Sequence, residues 1–536
     1  MSEKKLWWRD GIIYQVYPRS FQDTTGDGIG DLRGIIQHLD YLKDLGIDGI
    51  WLSPINPSPD VDFGYDVSDY NAIDPKFGTL SDFYELLEQA HKRDIRIIMD
   101  LVLNHTSDQH QWFQESRKSK DNPYHDWYIW RDPAPGGKAP NNWTSMVGGS
   151  AWKYDASLGQ YYYHMFFEQQ PDVNWRNPQV YAAMLDVFRF WLEKGVDGFR
   201  LDIFNEYFKD EQFRDNPTRR GLHLRAFDRT SHVYDNSQPE MLSLLNDIRK
   251  LMDCYEDRYV VGETFLVNSQ KARAYIGKDR LHAGFDYAYA NSGFSARAFG
   301  KAIQDWDSLH GREAWPNYFL NNHDTSRSST RYNAGQSDAR LKLLATMHLT
   351  VRGTPYLYYG EEIGMRDINL TYKEIQDPVG KTFWPLYKGR DGCRSPMQWD
   401  ARPNAGFSTG SPWLRVNTDY PIRNVVNQQA SSASLLAFYK ALIQLRREHP
   451  ALHKGTLEMH ASGSDRLLAY WRAWNNEKLL VVLNFSNLLT TMPLPGDPSQ
   501  KWTIIFNGNE PITSQVAEGK LHLPGYGLAI LRVNTE

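Results

Sequence analysis

Hydrophobic residues follow two alternating patterns in the first half of this chain. Positions at helical spacing come first, and Gly46 separates them from an apolar run over residues 47–52; the spaced positions are Leu32, Ile35, Ile36, Leu39 and Leu42. Apolar residues three and four positions apart form one face of a helix, whereas a short continuous run is typical of a buried strand. The pattern predicts a helix that ends at Gly46 and a strand directly after it.

The same helix and strand pattern returns three times. Ser81 precedes a second amphipathic stretch and is expected to cap its helix, which leads to a strand over 95–103. A third helix over 184–192 ends at Gly195 before a strand over 196–201, and a fourth over 240–255 precedes a strand over 259–262. Alternation of this kind is typical of parallel sheets, and about eight such units would close an α/β fold of the (β/α)₈ TIM barrel class.

Two regions depart from this alternation. Residues 104–175 are rich in Trp, Pro, Gly and Asn, so we expect an inserted domain after the third strand. Beyond residue 455 the pattern changes to short strands, over 467–471, 479–484, 502–506 and 528–533, which indicates a C-terminal β-sandwich. The predicted domains are therefore a barrel over 1–103 and 176–455, an insertion over 104–175 and a sandwich over 456–536.

Composition and charge narrow the classes of function. Hydrophobic residues make up 41% and charged residues 23%, and 60 basic and 65 acidic residues give a net charge of −5. The absence of a basic stripe argues against a nucleic-acid partner. Met1 to Asp10 contain no apolar run of signal-peptide length, and no stretch approaches 18 uncharged apolar residues, so we expect a cytoplasmic protein without a membrane partner. Cys254 and Cys393 are expected to be free, buried thiols.

Polar residues end several of the predicted strands. The segments DLVLNH (100–105), GFRLD (198–202), VVGE (260–263) and NNHD (321–324) each follow an apolar run. In a barrel the carboxyl ends of the strands meet at one face, so Asp202, Glu263 and Asp324 are expected in one pocket. A strand-end aspartate can instead cap a neighbouring helix. Three like charges in one pocket are costly, however, and indicate chemistry that needs them.

Hydrolysis of a glycoside needs such a group of acids. A retaining glycosidase uses one carboxylate as nucleophile and a second, about 5 Å away, as acid and then base. Asp202 lies two residues from Arg200 on one strand, so both side chains face one side and the guanidinium favours an ionised nucleophile. Glu263 ends an apolar strand, where burial and nearby carboxylates favour the protonated form that a general acid requires.

The four segments, in this order, resemble glycoside hydrolase family 13, the α-amylase family, over nearly the whole chain. The resemblance implies Asp202 as nucleophile, Glu263 as general acid and base, and Asp324 as the stabiliser of the transition state. It further implies that His105, Arg200 and His323 line the same subsite. Within DFGYD (62–66), Asp62 is expected to accept bonds from sugar hydroxyls, and Tyr65 to stack on the sugar ring or to serve as a core aromatic.

One segment indicates to which subgroup of this family the chain is most similar. QPDVN (170–174) is similar to the QPDLN motif of the oligo-1,6-glucosidase subgroup, which also contains α-glucosidases, sucrose-acting enzymes and trehalose-forming enzymes. Arg390 matches the arginine that in this subgroup pairs with Asp62 and closes the pocket behind the first glucose; a surface ion pair is the alternative. A closed pocket implies an exo-acting enzyme on short oligosaccharides or disaccharides. Separately, we expect a monomer or homodimer and no organic cofactor.

The segment DTTGDGIGD (23–31) has the spacing of a cation-binding loop. Asp23, Thr25, Asp27 and Asp31 alternate with glycines, and the family resemblance adds Ile29 to the expected ligands of a structural Ca²⁺ or Mg²⁺ ion. Thr25 stands where relatives carry Asn and offers a weaker ligand. A cation-free loop that caps the next helix is the alternative.

Linkage preference depends on the residues after Asp202. In this subgroup Val at the next position favours α-1,6 linkages, and smaller or polar residues favour α-1,4; Ile203 matches neither pattern fully. The polar segment over 204–239 is expected to cover the acceptor side, so we expect α-1,4 linkages in short substrates, with α-1,6 as the second choice and transglycosylation as a side activity. The alternative is a sucrose- or trehalose-acting glucosyltransferase or isomerase, although TSRSSTRYN (325–333) lacks the Arg-x-Asp-Arg cluster of sucrose isomerases.

Overall fold

The fold is seen in a computed structural model that describes residues 6–264, 266–285, 287–311, 314–332, 337–496, 500–508 and 514–533. Predictions that concern residues 1–5, residue 333 and residues 534–536 lie outside these ranges. Within the described ranges, no helix combines the length and the apolar character needed to cross a membrane.

Eight parallel strands form the central sheet of the molecule, in the order β10-β11-β1-β2-β3-β7-β8-β9. Strands β9 and β10 lie side by side and nearly close the barrel, which confirms the predicted (β/α)₈ class. In chain order the first eleven strands are β1 (Ile13–Val16), β2 (Gly49–Leu52), β3 (Arg96–Leu101), β4 (Trp130–Arg131), β5 (Trp152–Asp155), β6 (Gln160–Tyr163), β7 (Gly198–Leu201), β8 (Tyr259–Glu263), β9 (Ala283–Phe285), β10 (Asn317–Phe319) and β11 (Thr354–Tyr358).

Sixteen α-helices lie in the described part of the chain, and most of them connect the barrel strands and cover the outside of the barrel. They are α1 (Trp7–Asp10), α2 (Leu32–Gln37), α3 (Leu39–Leu45), α4 (Leu80–His91), α5 (Gln111–Ser116), α6 (Pro178–Glu193), α7 (Met241–Asp253), α8 (Ser269–Ala274), α9 (Tyr287–Ala290), α10 (Ala296–His310), α11 (Ser328–Arg331), α12 (Ala339–Thr350), α13 (Pro378–Phe383), α14 (Val425–Gln429), α15 (Leu435–Glu448) and α16 (Pro450–His453). Their apolar faces pack on the outer side chains of the strands in one continuous core.

The interior of the barrel has a separate apolar core, formed by inward side chains that include Ile13, Trp51, Ile98, Val261 and Phe319. Successive side chains of a strand point to opposite faces. Because both faces of the barrel strands are buried, each strand appears in the sequence as a continuous run of apolar residues. The register places Asp100 on β3 opposite Arg200 on β7. Both side chains therefore lie at the carboxyl ends of neighbouring strands.

Three predicted local features are wrong in detail. The helix expected over 32–42 is divided at His38 into α2 and α3, because His38 leaves helical backbone angles. Helix α4 is capped by Thr79 and not by Ser81: Thr79 accepts a bond from the Asp82 N–H, and the Asp82 carboxylate accepts from the Thr79 N–H. Cys254 is free but exposed, whereas Cys393 is free and buried as expected.

The two non-barrel regions form antiparallel sheets. The insertion contains the sheet β4-β6-β5, and the C-terminal region contains a five-stranded and a three-stranded sheet. The C-terminal strands are β12 (Thr456–His460), β13 (Leu467–Trp474), β14 (Glu477–Asn484), β15 (Thr490–Pro493), β16 (Trp502–Phe506), β17 (Gln515–Ala517), β18 (Lys520–Leu523) and β19 (Leu528–Val533). Leucines of both sheets, among them Leu480 and Leu521, share one core, so the region is the predicted sandwich. The residue boundaries of the three domains stay a prediction.

Candidate active site

The polar residues at the strand ends surround one cavity of about 1200 Å³. Its lining contains the three predicted acids and four of the predicted substrate-binding residues, which are Asp202, Glu263 and Asp324 with Asp62, Tyr65, His105 and Arg390. Arg200 and His323 are almost fully buried and lie behind this lining. The barrel therefore brings together residues that are up to 328 positions apart in sequence, as for the pair of Asp62 and Arg390.

Arg200 holds three carboxylates at the centre of the site. Its Nη1 atom lies 2.7 Å from Asp100 Oδ1 and 2.7 Å from Asp202 Oδ1, and its Nη2 atom donates to Glu263 Oε2. The predicted contact between Arg200 and Asp202 is present. Because Asp202 and Glu263 bind neighbouring nitrogens of one planar guanidinium, their carboxylates lie side by side in the wall of the cavity.

One cation does not neutralise these carboxylates. Burial raises the pKa of Asp202 well above its usual range, and the opposing field of Arg200 is insufficient to reverse it. Burial likewise raises the pKa of Asp100 to about 6 against the effect of Arg200. The prediction that Arg200 keeps Asp202 ionised did not account for the loss of solvation on burial, which favours the protonated carboxyl group. The cluster retains a proton more readily than isolated carboxylates do.

Asp324 has a different environment from the other two acids. Arg394 Nη2 lies 3.0 Å from Asp324 Oδ1, and Arg390 Nη1 lies 3.5 Å from the same oxygen. Burial lowers the pKa of His323 to about 3, so this neighbour is neutral near pH 7 and the two arginines supply the positive charge. Although burial opposes them, the cationic neighbours lower the pKa of Asp324 below its usual range. Asp324 is therefore ionised throughout the physiological range.

Aromatic and amide side chains form the floor of the site. The Tyr65 ring lies 5.4 Å from the His323 ring with an interplanar angle of 2°, and the Tyr65 hydroxyl lies 2.6 Å from His323 Nε2. His105 Nε2 lies 2.9 Å from the Tyr65 carbonyl, and Gln170 Nε2 donates to that carbonyl at 3.0 Å. The QPDVN segment of the insertion thus fixes the loop that carries Asp62 and Tyr65. Tyr65 is buried yet reaches the cavity, so both predictions for this residue describe part of its position.

Arg390 lines one end of the cavity, where it contacts two aspartates. Its Nη2 atom lies 2.6 Å from Asp62 Oδ1 and 2.9 Å from Asp377 Oδ1, and its Nε atom donates to Asp377 Oδ2 at 3.1 Å. Against burial, Arg390 lowers the pKa of Asp377 to about 2. The Arg390 side chain is only 15% exposed, so the alternative of a surface ion pair is wrong.

Three residues of the site were not predicted from the sequence. Asp377 holds Arg390, Arg394 contacts Asp324, and the Tyr287 hydroxyl donates to Glu263 Oε1. Arg394 lies four residues from Arg390 in GRDGCRSPMQW (389–399). That short spacing is the one available signal for Arg394, whereas Asp377 caps α13 and Tyr287 begins α9, two residues after the short strand β9.

Ile203 and the segment after it flank Asp202 as predicted. Ile203 lines the cavity with a backbone φ of 32°, a left-handed conformation that is strained for a β-branched residue. Residues 219, 222–225 and 228 line the outer part of the same cavity. The expectation that segment 204–239 covers the acceptor side agrees with this position.

The predicted cation loop is stabilised by its own hydrogen bonds. Asp23 accepts bonds from the N–H groups of Thr25, Gly26 and Gly28 and from the Ser408 hydroxyl. Asp31 caps α2 through the Gly34 N–H, and Asp27 accepts from the Ile29 N–H. Among the described residues no group of three His, Cys, Asp or Glu side chains is arranged to hold a metal ion. The predicted Ca²⁺ or Mg²⁺ site and the cation-free alternative both stay predictions.

Comparison with known proteins agrees with the fold. Residues 15–455 match the family described as "Alpha amylase, catalytic domain", and residues 467–529 match the "Alpha-amylase SusG C-terminal domain". A probable alpha-glucosidase of Rhizobium meliloti (strain 1021) is 42% identical over 98% of this chain and 97% of its own. An oligo-1,6-glucosidase of Parageobacillus thermoglucosidasius is 40% identical over 92% of each chain. A solved structure of an alpha-glucosyl transfer enzyme superposes with a TM-score of 0.94 at 39% identity, covering 99% of this chain and 100% of that one.

The family match identifies this parallel barrel, with its carboxylate-lined cavity at the strand ends, as a glycoside hydrolase. The chain belongs to the α-amylase family, glycoside hydrolase family 13, and within it to the subgroup of oligo-1,6-glucosidases and α-glucosidases.

Proposed function

We propose that this enzyme is a retaining, exo-acting α-glucosidase that releases glucose from the non-reducing end of short α-glucosides. The observation that carries the proposal is the cavity in which Asp202, Glu263 and Asp324 meet the ion pair of Asp62 and Arg390. The acids supply the chemistry, and the ion pair limits how far a sugar chain can extend.

In the first step Asp202 attacks the anomeric carbon while Glu263 gives its proton to the glycosidic oxygen. The bond to the leaving alcohol breaks as the bond to the Asp202 oxygen forms, which yields a covalent glucosyl-enzyme. The contact of both carboxylates with one guanidinium supports the short separation, about 5 Å, that this double displacement needs. Glu263 acts in this step as the general acid, and its place beside Asp202 puts it within reach of the glycosidic oxygen.

In the second step water attacks the same carbon from the side that the alcohol has left. Glu263, now ionised, takes a proton from the water, and the released Asp202 carboxylate is restored. Asp324 stays ionised between Arg390 and Arg394, so it can accept hydrogen bonds from sugar hydroxyls and stabilise the positive charge that develops on the ring.

The proposed roles are tested by Asp202→Asn with methyl α-glucoside and maltose as substrates. The variant is expected to lose at least about 10⁴-fold in kcat, because a nucleophile is removed while its size is kept. Proton NMR of the wild-type reaction should show α-glucose as the first product. Near-full activity of the variant, or β-glucose as the first product, would contradict the proposal.

Exo action and linkage are tested by product analysis. The closed end formed by Arg390 supports release of single glucose units from the non-reducing end of end-labelled maltotriose. We propose α-1,4 linkages first and α-1,6 second, since Ile203 and segment 204–239 border the acceptor side. Initial rates on maltose, isomaltose, sucrose and trehalose rank the linkages, and no release from maltose would remove the α-1,4 proposal.

Glucosyl transfer is the second candidate function. The likeness to a structure described as an alpha-glucosyl transfer enzyme supports it, because a sugar can replace water as the attacking group on the same covalent intermediate. We propose transfer as a side activity, and the ratio of transfer products to free glucose at rising maltose concentration measures it. The cytoplasmic location, the monomeric or homodimeric state and the absence of a nucleic-acid partner stay predictions of the sequence.

A further inference from the structure

The mouth of the active-site cavity carries apolar side chains that face water. Leu222, Leu386 and Leu224 are 95%, 90% and 85% exposed, more than any other large hydrophobic side chain among the described residues. All three line the same cavity as the catalytic acids. Leu266, at 49% exposure, adds a fourth leucine from the segment after β8. Exposed apolar patches of this kind mark ligand-binding grooves more often than chance positions do.

The loop that carries Leu222 and Leu224 is anchored at its base. Thr218 and Thr230 form an isolated antiparallel bridge, and the Arg219 N–H donates to the Arg229 carbonyl at 2.8 Å. Phe227 is 2% exposed and packs in the core of the insertion. The fold therefore holds this arm in place and leaves its leucines at the tip.

Leu386 comes from a second arm, which lies beside the first. It follows α13 and precedes Arg390, whose bonds to Asp377 fix the end of this segment. The Arg225 guanidinium lies 5.6 Å from the centre of the Phe383 ring, so the two arms meet at the cavity. Leucines from separate parts of the chain thus converge on one opening.

Several polar groups at the mouth are engaged by the protein itself. Arg225 Nη2 donates to the Met146 carbonyl at 2.7 Å and lies near Asp228, and Asn268 caps α8 through the Lys271 N–H. The inner end of the cavity is lined by charged side chains, among them Asp62, Arg390 and Asp324. The cavity is therefore charged at its inner end, whereas its outer end presents exposed leucines beside polar residues such as Arg219 and His223.

From this division we propose that the acceptor side of the cavity is a binding site for apolar aglycones, so that the enzyme prefers α-glucosides whose leaving group is an alkyl or aryl alcohol. The inference rests on the α-glucosidase function proposed above. Burial of one methylene group on binding favours the bound state by about fourfold. Contact of a longer alkyl chain with Leu222, Leu224 and Leu386 therefore raises kcat/KM.

A series of methyl, butyl and hexyl α-D-glucopyranosides tests the proposal, since the leaving alcohols differ little in acidity and greatly in apolar surface. The wild-type kcat/KM is expected to rise at least about tenfold from methyl to hexyl. Equal values for the three substrates would overturn the proposal while leaving the α-glucosidase function intact. If no member of the series and no maltose is hydrolysed, the α-glucosidase function itself fails.

A triple variant identifies the residues. Replacing Leu222, Leu224 and Leu386 with Ser should lower the hexyl-to-methyl ratio of kcat/KM to within about twofold of unity. The matched control replaces Ile422, Leu488 and Leu489, which are exposed at 82%, 51% and 68% and do not line the cavity, with Ser. The control should keep the wild-type ratio. A triple variant that also keeps it would overturn the proposal.

Discussion

Arg390 joins two parts of the site through one side chain. It contacts Asp62 on its inner side and Asp324 near the catalytic centre, and Asp377 binds it from behind with two oxygens. Because the N–H donors of a guanidinium have a fixed planar arrangement, a second carboxylate fixes the orientation of the Arg390 side chain as well as balancing its charge. Asp377 is therefore a positioning residue for the closed end of the cavity.

Loss of this support should weaken substrate binding. Asp377→Asn is expected to lower kcat/KM for maltose roughly ten- to a hundredfold, mainly through KM, because a charged hydrogen bond is worth about 1.5–3 kcal/mol. Steady-state kinetics on maltose measure the effect. Glu374→Gln is the control, since Glu374 lies on the same segment and forms an exposed pair with Arg415. A loss confined to kcat, or an equal loss in the control, would argue against positioning.

The pH dependence of kcat/KM reports the carboxylate cluster. Burial raises the pKa of Asp202, and that of Asp100 to about 6, so these groups bind protons at higher pH than ordinary aspartates. A nucleophile must be ionised, and activity is therefore expected to fall at a higher pH than the usual pKa of an aspartate, about 3.9, would give. A profile of kcat/KM on methyl α-glucoside between pH 4 and 8 measures it. An acidic limb near pH 4 would contradict the role of burial.

At the residue scale, the site residues that lie at the ends of barrel strands are predictable from the sequence. Asp202, Glu263 and His323 follow apolar runs, and the geometry of a parallel barrel brings such residues to one face. Asp377 has no such signal, because its place beside Arg390 depends on the path of an irregular loop. The direction of the Asp202 pKa was also not predictable, since desolvation depends on burial in the folded chain.

At the element scale, caps and loop geometry were harder to predict than the elements themselves. Both Thr79 and Ser81 precede the apolar face of α4, and the side-chain bonds of the folded chain select Thr79. The division of the first helix at His38 likewise has no strong breaker in the sequence. Hydrophobic spacing fixes where a helix lies, while its ends depend on individual hydrogen bonds.

Two alanine variants separate the alternatives for the α4 cap. Thr79→Ala should reduce the free energy of unfolding by about 1 kcal/mol, because the Asp82 N–H loses its acceptor. Ser81→Ala should have almost no effect, since Ser81 is exposed within the first turn. Chemical denaturation of both variants gives the comparison. The reverse order of effects would show that Ser81 is the cap.

Chelation tests the loop over 23–31. The carboxylates of Asp23 and Asp31 are occupied by backbone N–H groups, so prolonged treatment with EDTA is expected to leave the Tm unchanged. Thermal unfolding before and after chelation, followed by addition of Ca²⁺ or Mg²⁺, provides the measurement. A clear fall in Tm that either ion restores would establish the cation site predicted from the sequence.

At the scale of the whole molecule, the barrel, the insertion and the segment after β7 contribute different walls of one cavity. The barrel supplies the acids, the insertion holds the Tyr65 loop through Gln170, and the segment after β7 carries the outer arm. The barrel, the interruption after its third strand and the terminal sandwich were all predictable, because hydrophobic periodicity changes at each of them. The convergence of two leucine-bearing arms at the mouth was not, since it depends on long loops without periodicity.

In the proposed mechanism Asp202 forms a covalent bond to the sugar. Brief incubation with 5-fluoro-α-D-glucopyranosyl fluoride, followed by proteolysis and mass spectrometry, detects this bond, because the fluorine slows breakdown of the intermediate. One added fluoroglucosyl group is expected, on the peptide that contains Asp202 and on that residue. A label on Glu263, Asp324 or another carboxylate, or turnover of the reagent with no label at all, would contradict it.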